Sequence, residues 1–488
     1  MSEALLSTPD HRPAAGEESV LEKPDWAAPL AEAYERSLSY LTTLPDRPVG
    51  STTDRLDLRA ALGGPLPEAP QDAREVVARL AAAAEPGLVS TPSGRFFGFV
   101  IGGANPAALA ADWLTTTWDQ NACLSALAPA ASVVEEVAGA WLVQLLGLPA
   151  HASTGFVTGG QMANFTALAA ARHEVLRREG WDVEADGLAG APRLRVLAGR
   201  HRHNTIDRAV RFLGLGRASI TSVDTDDQGR MLPDALSDAL AESGCPTIVC
   251  TQAGGVNTGA FDPVGDICAV AHEVGAWVHV DGAFGLWAAA SPRLRHLTAG
   301  VERADSWATD GHKWLNVPYD SGFVFCAHPG AHRAAMGTRA DYLIHGAEGE
   351  RDALDYTPEF SRRARGFPVY AAIRALGRAG VAELVERCCA LAGSFAEQLA
   401  AHDGVEILND VVLNQVLVRF LAADGDHDGH TRAVVERVQR DGTCWMSGTT
   451  WNGRAAMRIS VSNWSTDQDD VDRSVAAILR CAQPNAEG

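Results

Sequence analysis

Between residues 154 and 326, short β-branched or aromatic runs alternate with longer stretches of helical spacing, and this alternation restricts the chain to few architectures. The runs are RLRVLA at 193–198, ASITSV at 218–223, TIVC at 247–250, AWVHV at 276–280 and GFVFC at 322–326. Between most of them, at 204–212, 233–242 and 264–274, apolar residues recur every three to four positions. A βαβα order of this kind predicts an α/β fold with a mostly parallel sheet. Ligands of such sheets bind at the carboxyl ends of the strands.

The flanking regions read differently. Residues 1–25 are rich in Pro, Ala, Glu and Ser without apolar periodicity and are expected to form a flexible arm. Helical stretches between 26 and 90 are broken by turn-rich segments at 44–50 and 62–67, and they offer too thin a core to stand alone. After about 365 a long helical stretch, interrupted near Gly377 and Gly380, leads to strand-like runs at 411–420 and 457–462 and a last helix from Asp467. That mixture predicts a smaller α+β domain. The expected division is 1–90, 91–365 and 366–488.

Of 488 residues, 41 are basic and 61 acidic, a formal charge of −20 that disfavours nucleic acid and anionic lipid as partners. No run of eighteen apolar residues is present, and the first residues carry an acid where a signal peptide carries bases. A cytoplasmic protein is the expectation. The nine cysteines form no CxxC pair and several sit in apolar runs, as reduced core thiols do.

Chemistry is concentrated at the predicted strand ends. Asp281 closes the run AWVHVD, and Lys313 lies in TDGHKWL at 309–315. A buried carboxylate needs a cationic partner, and a pyridinium nitrogen is one; a partly desolvated lysine is a nucleophile toward an aldehyde. Those are the two tasks pyridoxal phosphate sets its protein. Each residue also has an ordinary reading: a turn or metal carboxylate for Asp281, a surface lysine for Lys313. Metal binding is the weaker account, because Asp281 lacks neighbouring ligands at usable spacing. Upstream, VTGGQMAN at 157–164 joins a strand to an apolar helix, where glycines let backbone N–H groups approach a phosphate or simply make a turn. His203, in RHRHNTIDRA at 200–209, falls just past a strand end, where an imidazole can lie on an aromatic ring or cap a helix.

Taken in order, Gly159-Gly160-Gln161 with Ala163-Asn164, His203 and the residues after it, GGVNTGAFDP at 254–263, HVDGA at 279–283 and DGHKW at 310–314 resemble the group II pyridoxal-phosphate-dependent decarboxylases, which include aromatic amino acid and glutamate decarboxylases. The likeness runs from about residue 85 to the C-terminus. It implies a fold-type-I, aspartate-aminotransferase-like architecture, pyridoxal 5′-phosphate as cofactor, and a homodimer with shared active sites on which the first 90 residues pack. It further implies that Lys313 holds the cofactor aldehyde, Asp281 partners the pyridine nitrogen and His203 stacks on the ring. Gly160, Gln161 and Asp310 fall near the phosphate, Ala283 packs against the cofactor, and His312 stands beside the lysine. No metal is implied.

The family often has Ser or Thr where Gln161 and Gly255 stand, and SALAPA at 125–130 lacks a tryptophan common in its substrate-side segment. The segments 341–345 and 352–363 resemble the family's catalytic loop. Tyr356 is the first candidate for protonating the substrate carbon, with Tyr342 and His345 behind it. Arg458 coincides with a position that holds a substrate carboxylate in glutamate-type members, although strand alternation alone would make it an exposed arginine. Phe96, Phe97, Phe99 and Trp118 resemble a pocket wall and favour an aromatic substrate. The expected reaction is decarboxylation of an L-amino acid to its amine. Transamination, carbon–carbon lysis, oxidative deamination to an aldehyde, and a non-catalytic binding protein on the same scaffold stand as alternatives. A nucleotide-dependent oxidoreductase is disfavoured, since Gly214-Leu-Gly216 lacks a third glycine and follows a helix.

Overall fold

A computed structural model describes residues 25–242, 244–338 and 351–483. The chain divides into two compact units, Met1–Ser90 and Thr91–Gly488.

The first unit holds helices Ala27–Thr43, Arg55–Leu62 and Ala73–Ala84. Asp54 and Asp72 cap the second and third through their side chains, as short acidic residues do at a helix start. Among its described residues Val49 is the only fully buried apolar side chain, in keeping with a core too thin to stand alone. Trp26, Leu30, Tyr34, Leu38 and Leu41 instead run along one face of Ala27–Thr43, all exposed.

The second unit is built on a seven-stranded sheet of β1 (Ser153–Val157), β2 (Arg195–Gly199), β3 (Ile220–Val223), β4 (Thr247–Gln252), β5 (Trp277–Asp281), β6 (Ser306–Asp310) and β7 (Gly322–Cys326), in the order β1-β7-β6-β5-β4-β2-β3. The strands β3, β2, β4, β5 and β6 pair in parallel, and β7 runs antiparallel to both β6 and β1. Strands β4 to β7 are buried along their whole length, so their near-continuous apolar runs follow from helices covering both faces. The four tryptophans Trp277, Trp287, Trp307 and Trp314 are fully enclosed and fill much of this interior.

A second sheet, antiparallel, comprises β8 (Val405–Ile407), β9 (Gln415–Phe420), β10 (Ser447–Trp451) and β11 (Arg454–Ser460), in the order β10-β11-β9-β8. Helices His427–Asp441 and Gln468–Ala482 accompany it, the latter opened by a capping box between Asp467 and Asp470. The long helix Gly366–Ala400 is interrupted at Gly377, whose φ of 60° places it in the left-handed region, whereas the chain stays helical at Gly380. No helix among the described residues is long and apolar enough to cross a membrane.

Candidate active site

Five strand ends of the large sheet meet around one cleft of about 260 Å³. The segment after β1 brings Gly159 and Gly160, the one after β2 brings His203, β4 ends on Gln252, β5 ends on Asp281, and β6 ends on Asp310 with Lys313 just beyond. All the cofactor positions expected from the sequence, including Gln161, Ala283 and His312, line this cleft. The clustering follows from parallel strands that deliver their carboxyl ends to one edge.

Asp281 is 6% exposed. Its Oδ2 accepts from Asn164 Nδ2 at 3.1 Å and its Oδ1 from the Ala283 N–H at 3.3 Å. Among the described residues it makes no ion pair with a lysine or arginine. A carboxylate enclosed without a cation is costly, and a protonated pyridine nitrogen supplies what is missing. The site therefore fits the cofactor.

Lys313 Nζ lies 2.8 Å from Asp310 Oδ2, and Asp310 Oδ1 accepts the Gly160 N–H at 2.5 Å. The helix Gly160–Arg178 thus begins by donating to a carboxylate held at the end of β6, an arrangement its positive end favours. Close packing explains the two glycines: a Cβ on Gly159 would come within 2.9 Å of the His312 ring, and one on Gly160 within 2.9 Å of Asp310 Oδ2. His312 is fixed from its other side, accepting the Ser321 N–H at Nδ1, and stacks on Tyr319 at 4.3 Å between centroids. Burial holds its pKa below the usual imidazole value, partly opposed by Asp310.

His203 caps the helix Asn204–Phe212, with Nδ1 2.9 Å from Thr205 Oγ1. Burial lowers its pKa and the nearby Asp281 pulls the other way, so the ring is biased toward the neutral form. Gln161 reaches the Thr205 carbonyl, which ties the helix start to the same turn.

Three expectations need correction. Tyr356 does not line this cleft. It sits in a separate depression with Ser153, Thr154 and Arg351, its hydroxyl accepting from Arg333 at 3.1 Å and its ring under the Arg351 guanidinium. The cause is local: the turn Ala353–Tyr356 folds back against β1, where the Tyr356 carbonyl accepts from His332. Tyr342 and His345 lie outside the described residues. Arg458, read as exposed, is buried, because β11 lies inside its sheet with its inner face covered. Burial lowers its pKa to about 10, its Nε has no partner, and Nη1 reaches Asn257 at 3.4 Å. Of the four aromatics, only Phe99 lines the cleft; Phe96 and Phe97 are core, and Trp118 packs on Phe367.

Asn164, Thr205 and Phe284 also line the cleft without having been given a role. Asn164 had a readable signal, since it stands one helical turn after Gly160 and so shares its face.

Comparison with known proteins agrees with this geometry. Residues 56–421 match the family described as the pyridoxal-dependent decarboxylase conserved domain. Tryptophan decarboxylase 1 of Oryza sativa subsp. japonica is 31% identical over 460 residues, covering 88% of this chain and 87% of that protein. The 4-hydroxyphenylacetaldehyde synthase of Rhodiola rosea is 28% identical, covering 82% of this chain and 83% of that one. The crystal structure of Oryza sativa TDC with PLP and tryptamine superimposes with a TM-score of 0.87 at 27% identity, over 93% of this chain and 96% of that chain. With its cleft, its sheet and its sequence in agreement, the chain belongs to the group II pyridoxal-dependent decarboxylases, fold-type-I lyases that work with pyridoxal 5′-phosphate.

Proposed function

We propose that this enzyme decarboxylates an L-amino acid with an aromatic side chain, releasing carbon dioxide and the corresponding amine. The observation that carries the reading is the joint presence, in one cleft, of Lys313, a cation-free buried Asp281, and the aromatic side chains Phe99 and Phe284. The rice and Rhodiola relatives, whose names refer to aromatic compounds, support the choice of side chain.

When bound, pyridoxal 5′-phosphate supplies an electron sink for the bond broken at the substrate α-carbon. Lys313 would hold the cofactor through its amine. Asp281 would keep the pyridine nitrogen protonated, and His203 and Ala283 would pack against the cofactor ring. Gly160 and Gln161 would hold the phosphate, with Asp310 and His312 between them and the lysine. Arg458, buried and with an unpaired Nε, is the group suited to a substrate carboxylate. With the Tyr356 hydroxyl engaged by Arg333, Tyr342 becomes the first candidate for returning a proton to the α-carbon.

A homodimer in the cytoplasm completes the proposal. The apolar stripe along Ala27–Thr43 and the exposed Trp113, Leu114 and Leu127 are surfaces that a second copy would cover. The Rhodiola relative favours one alternative, oxidative release of an aldehyde on the same scaffold. Incubating the cofactor-loaded enzyme with a panel of amino acids, and assaying carbon dioxide, amine, keto acid and aldehyde, tests the reading. Amine from aromatic substrates is expected; aldehyde, or turnover confined to acidic substrates, overturns it.

A further inference from the structure

Trp277, His279 and Asp281 occupy alternate positions of β5 and so share one face of the sheet. The helix Gly160–Arg178 packs against this strand and brings Asn164 between the last two. An unbroken series of hydrogen bonds results. Trp277 Nε1 lies 2.9 Å from Ser306 Oγ, which lies 3.0 Å from His279 Nδ1. His279 Nε2 is 2.9 Å from Asn164 Oδ1, and Asn164 Nδ2 is 3.1 Å from both Asp281 Oδ2 and Thr205 Oγ1. Thr205 Oγ1 continues to His203 Nδ1 at 2.9 Å. Trp277, Ser306 and His279 are completely enclosed and Asn164 is 1% exposed, so water does not compete for these bonds.

The bond directions can be fixed from the Asp281 end. At the other end an indole N–H only donates, so the Ser306 hydroxyl accepts it and keeps its own proton available to His279 Nδ1. An ionised carboxylate only accepts, so Asn164 must present its NH₂ to Asp281 and its carbonyl to His279. That requirement puts the His279 proton on Nε2 of a neutral ring, so Nδ1 accepts from the Ser306 hydroxyl. Burial lowers its pKa to about 3, which agrees. The second Asn164 N–H goes to Thr205, whose hydroxyl then donates to His203 Nδ1 and leaves the His203 proton on Nε2.

We infer that His279 and Asn164 are positioning residues that orient two cofactor-facing groups at once, turning the Asp281 carboxylate toward the pyridine nitrogen and fixing the tautomer of His203. Without the His279 donor, the Asn164 amide is free to turn and set its carbonyl oxygen against Asp281, a repulsive contact. This inference rests on Asp281 being the partner of the pyridine nitrogen.

The test uses cofactor-loaded protein with ¹⁵N-labelled histidine. The His279 signals, assigned by their loss in His279→Gln, are expected to show one protonated nitrogen, Nε2, and to stay constant from pH 6 to 8. An Nδ1–H tautomer, or titration in that range, overturns the inference. In parallel, His279→Leu and Asn164→Leu are expected to raise the cofactor Kd by about tenfold or more, the effect of losing a hydrogen bond to a charged group. His279→Gln, which keeps a donor, should restore most of the affinity. Equal weakening by Leu and Gln at 279 reduces the role to packing and overturns the relay. Asp281→Asn is measured beside them: if it binds cofactor like the wild type, the underlying assignment of Asp281 fails, and if it alone weakens binding, only the relay does.

Discussion

A single carboxylate, that of Asp310, joins Lys313 at 2.8 Å to the first N–H of the helix Gly160–Arg178 at 2.5 Å. The end of β6, the glycine turn and the reactive amine are therefore one mechanical unit. The lysine is held there by its ion pair with Asp310.

Removing that amine is the most direct test of the cofactor's attachment. Lys313→Ala is expected to abolish the visible absorbance of the purified, cofactor-loaded protein, and Lys313→Arg should do the same because a guanidinium keeps the charge without the nucleophile. An unchanged absorption spectrum would reassign the attachment point.

Asp310→Ala leaves the Gly160 N–H and the Lys313 ammonium without their partner in a buried setting. Loss of charge-assisted hydrogen bonds of this kind costs on the order of 2 kcal/mol. Urea unfolding of the cofactor-free protein should register that loss; identical midpoints for variant and wild type would mean that the unit does not depend on this carboxylate.

The two loop tyrosines separate by rate. Tyr356→Phe removes a hydrogen bond from Arg333 and should leave amine formation within about twofold, whereas Tyr342→Phe should lower it by about a hundredfold, the scale of a lost general acid. The reverse order would return proton delivery to Tyr356.

For Arg458 the informative comparison is between substrate and product. Arg458→Met is expected to raise the substrate KM about tenfold or more, while the inhibition constant of the product amine, which lacks the carboxylate, stays within about twofold. If both constants move together, the guanidinium serves the fold and not the substrate.

Asp262 predicts a pH dependence of stability. Its carboxyl accepts the N–H groups of Met231 and Gln252, each at 2.7 Å, yet complete burial raises its pKa to about 6 from the ordinary 3.8. The folded state therefore holds this proton more tightly than the unfolded chain. Its contribution is present in full below the unfolded pKa and is lost as pH rises through about 6. The shift corresponds to about 3 kcal/mol. Unfolding of wild type and Asp262→Asn at pH 4 and pH 7 should reveal a stability difference that shrinks by that order as pH rises; a constant difference contradicts the assignment.

The cleft was legible because its residues stand at strand ends, and strand ends can be read from hydrophobic runs. Asp281, Lys313, His203 and Gly160 all came from that reading, and they meet in one cleft. Direction was not legible: GFVFC is apolar on both faces and does not say that β7 runs against its neighbours. Strand β10, SGTTW, is too polar and too short to announce itself and exists through its pairing with β11. Arg458 was misread because alternation identifies two faces of a strand without saying which is covered. Tyr356 lies outside this cleft for another reason, since resemblance within a loop carries no information on where the side chain turns once Arg333 and Arg351 are close.

The reversal of β7 also decides how Lys313 is carried. Parallel neighbours are linked by a crossover of a dozen or more residues, commonly a helix, that can drift relative to the sheet. Here residues 311–321 join antiparallel strands in which Asp310 is paired directly with Gly322. The amine, three residues beyond that pair, takes its coordinates from a hydrogen-bonded ladder, and a residue inserted between Asp310 and Lys313 would break their i,i+3 spacing and with it the ion pair.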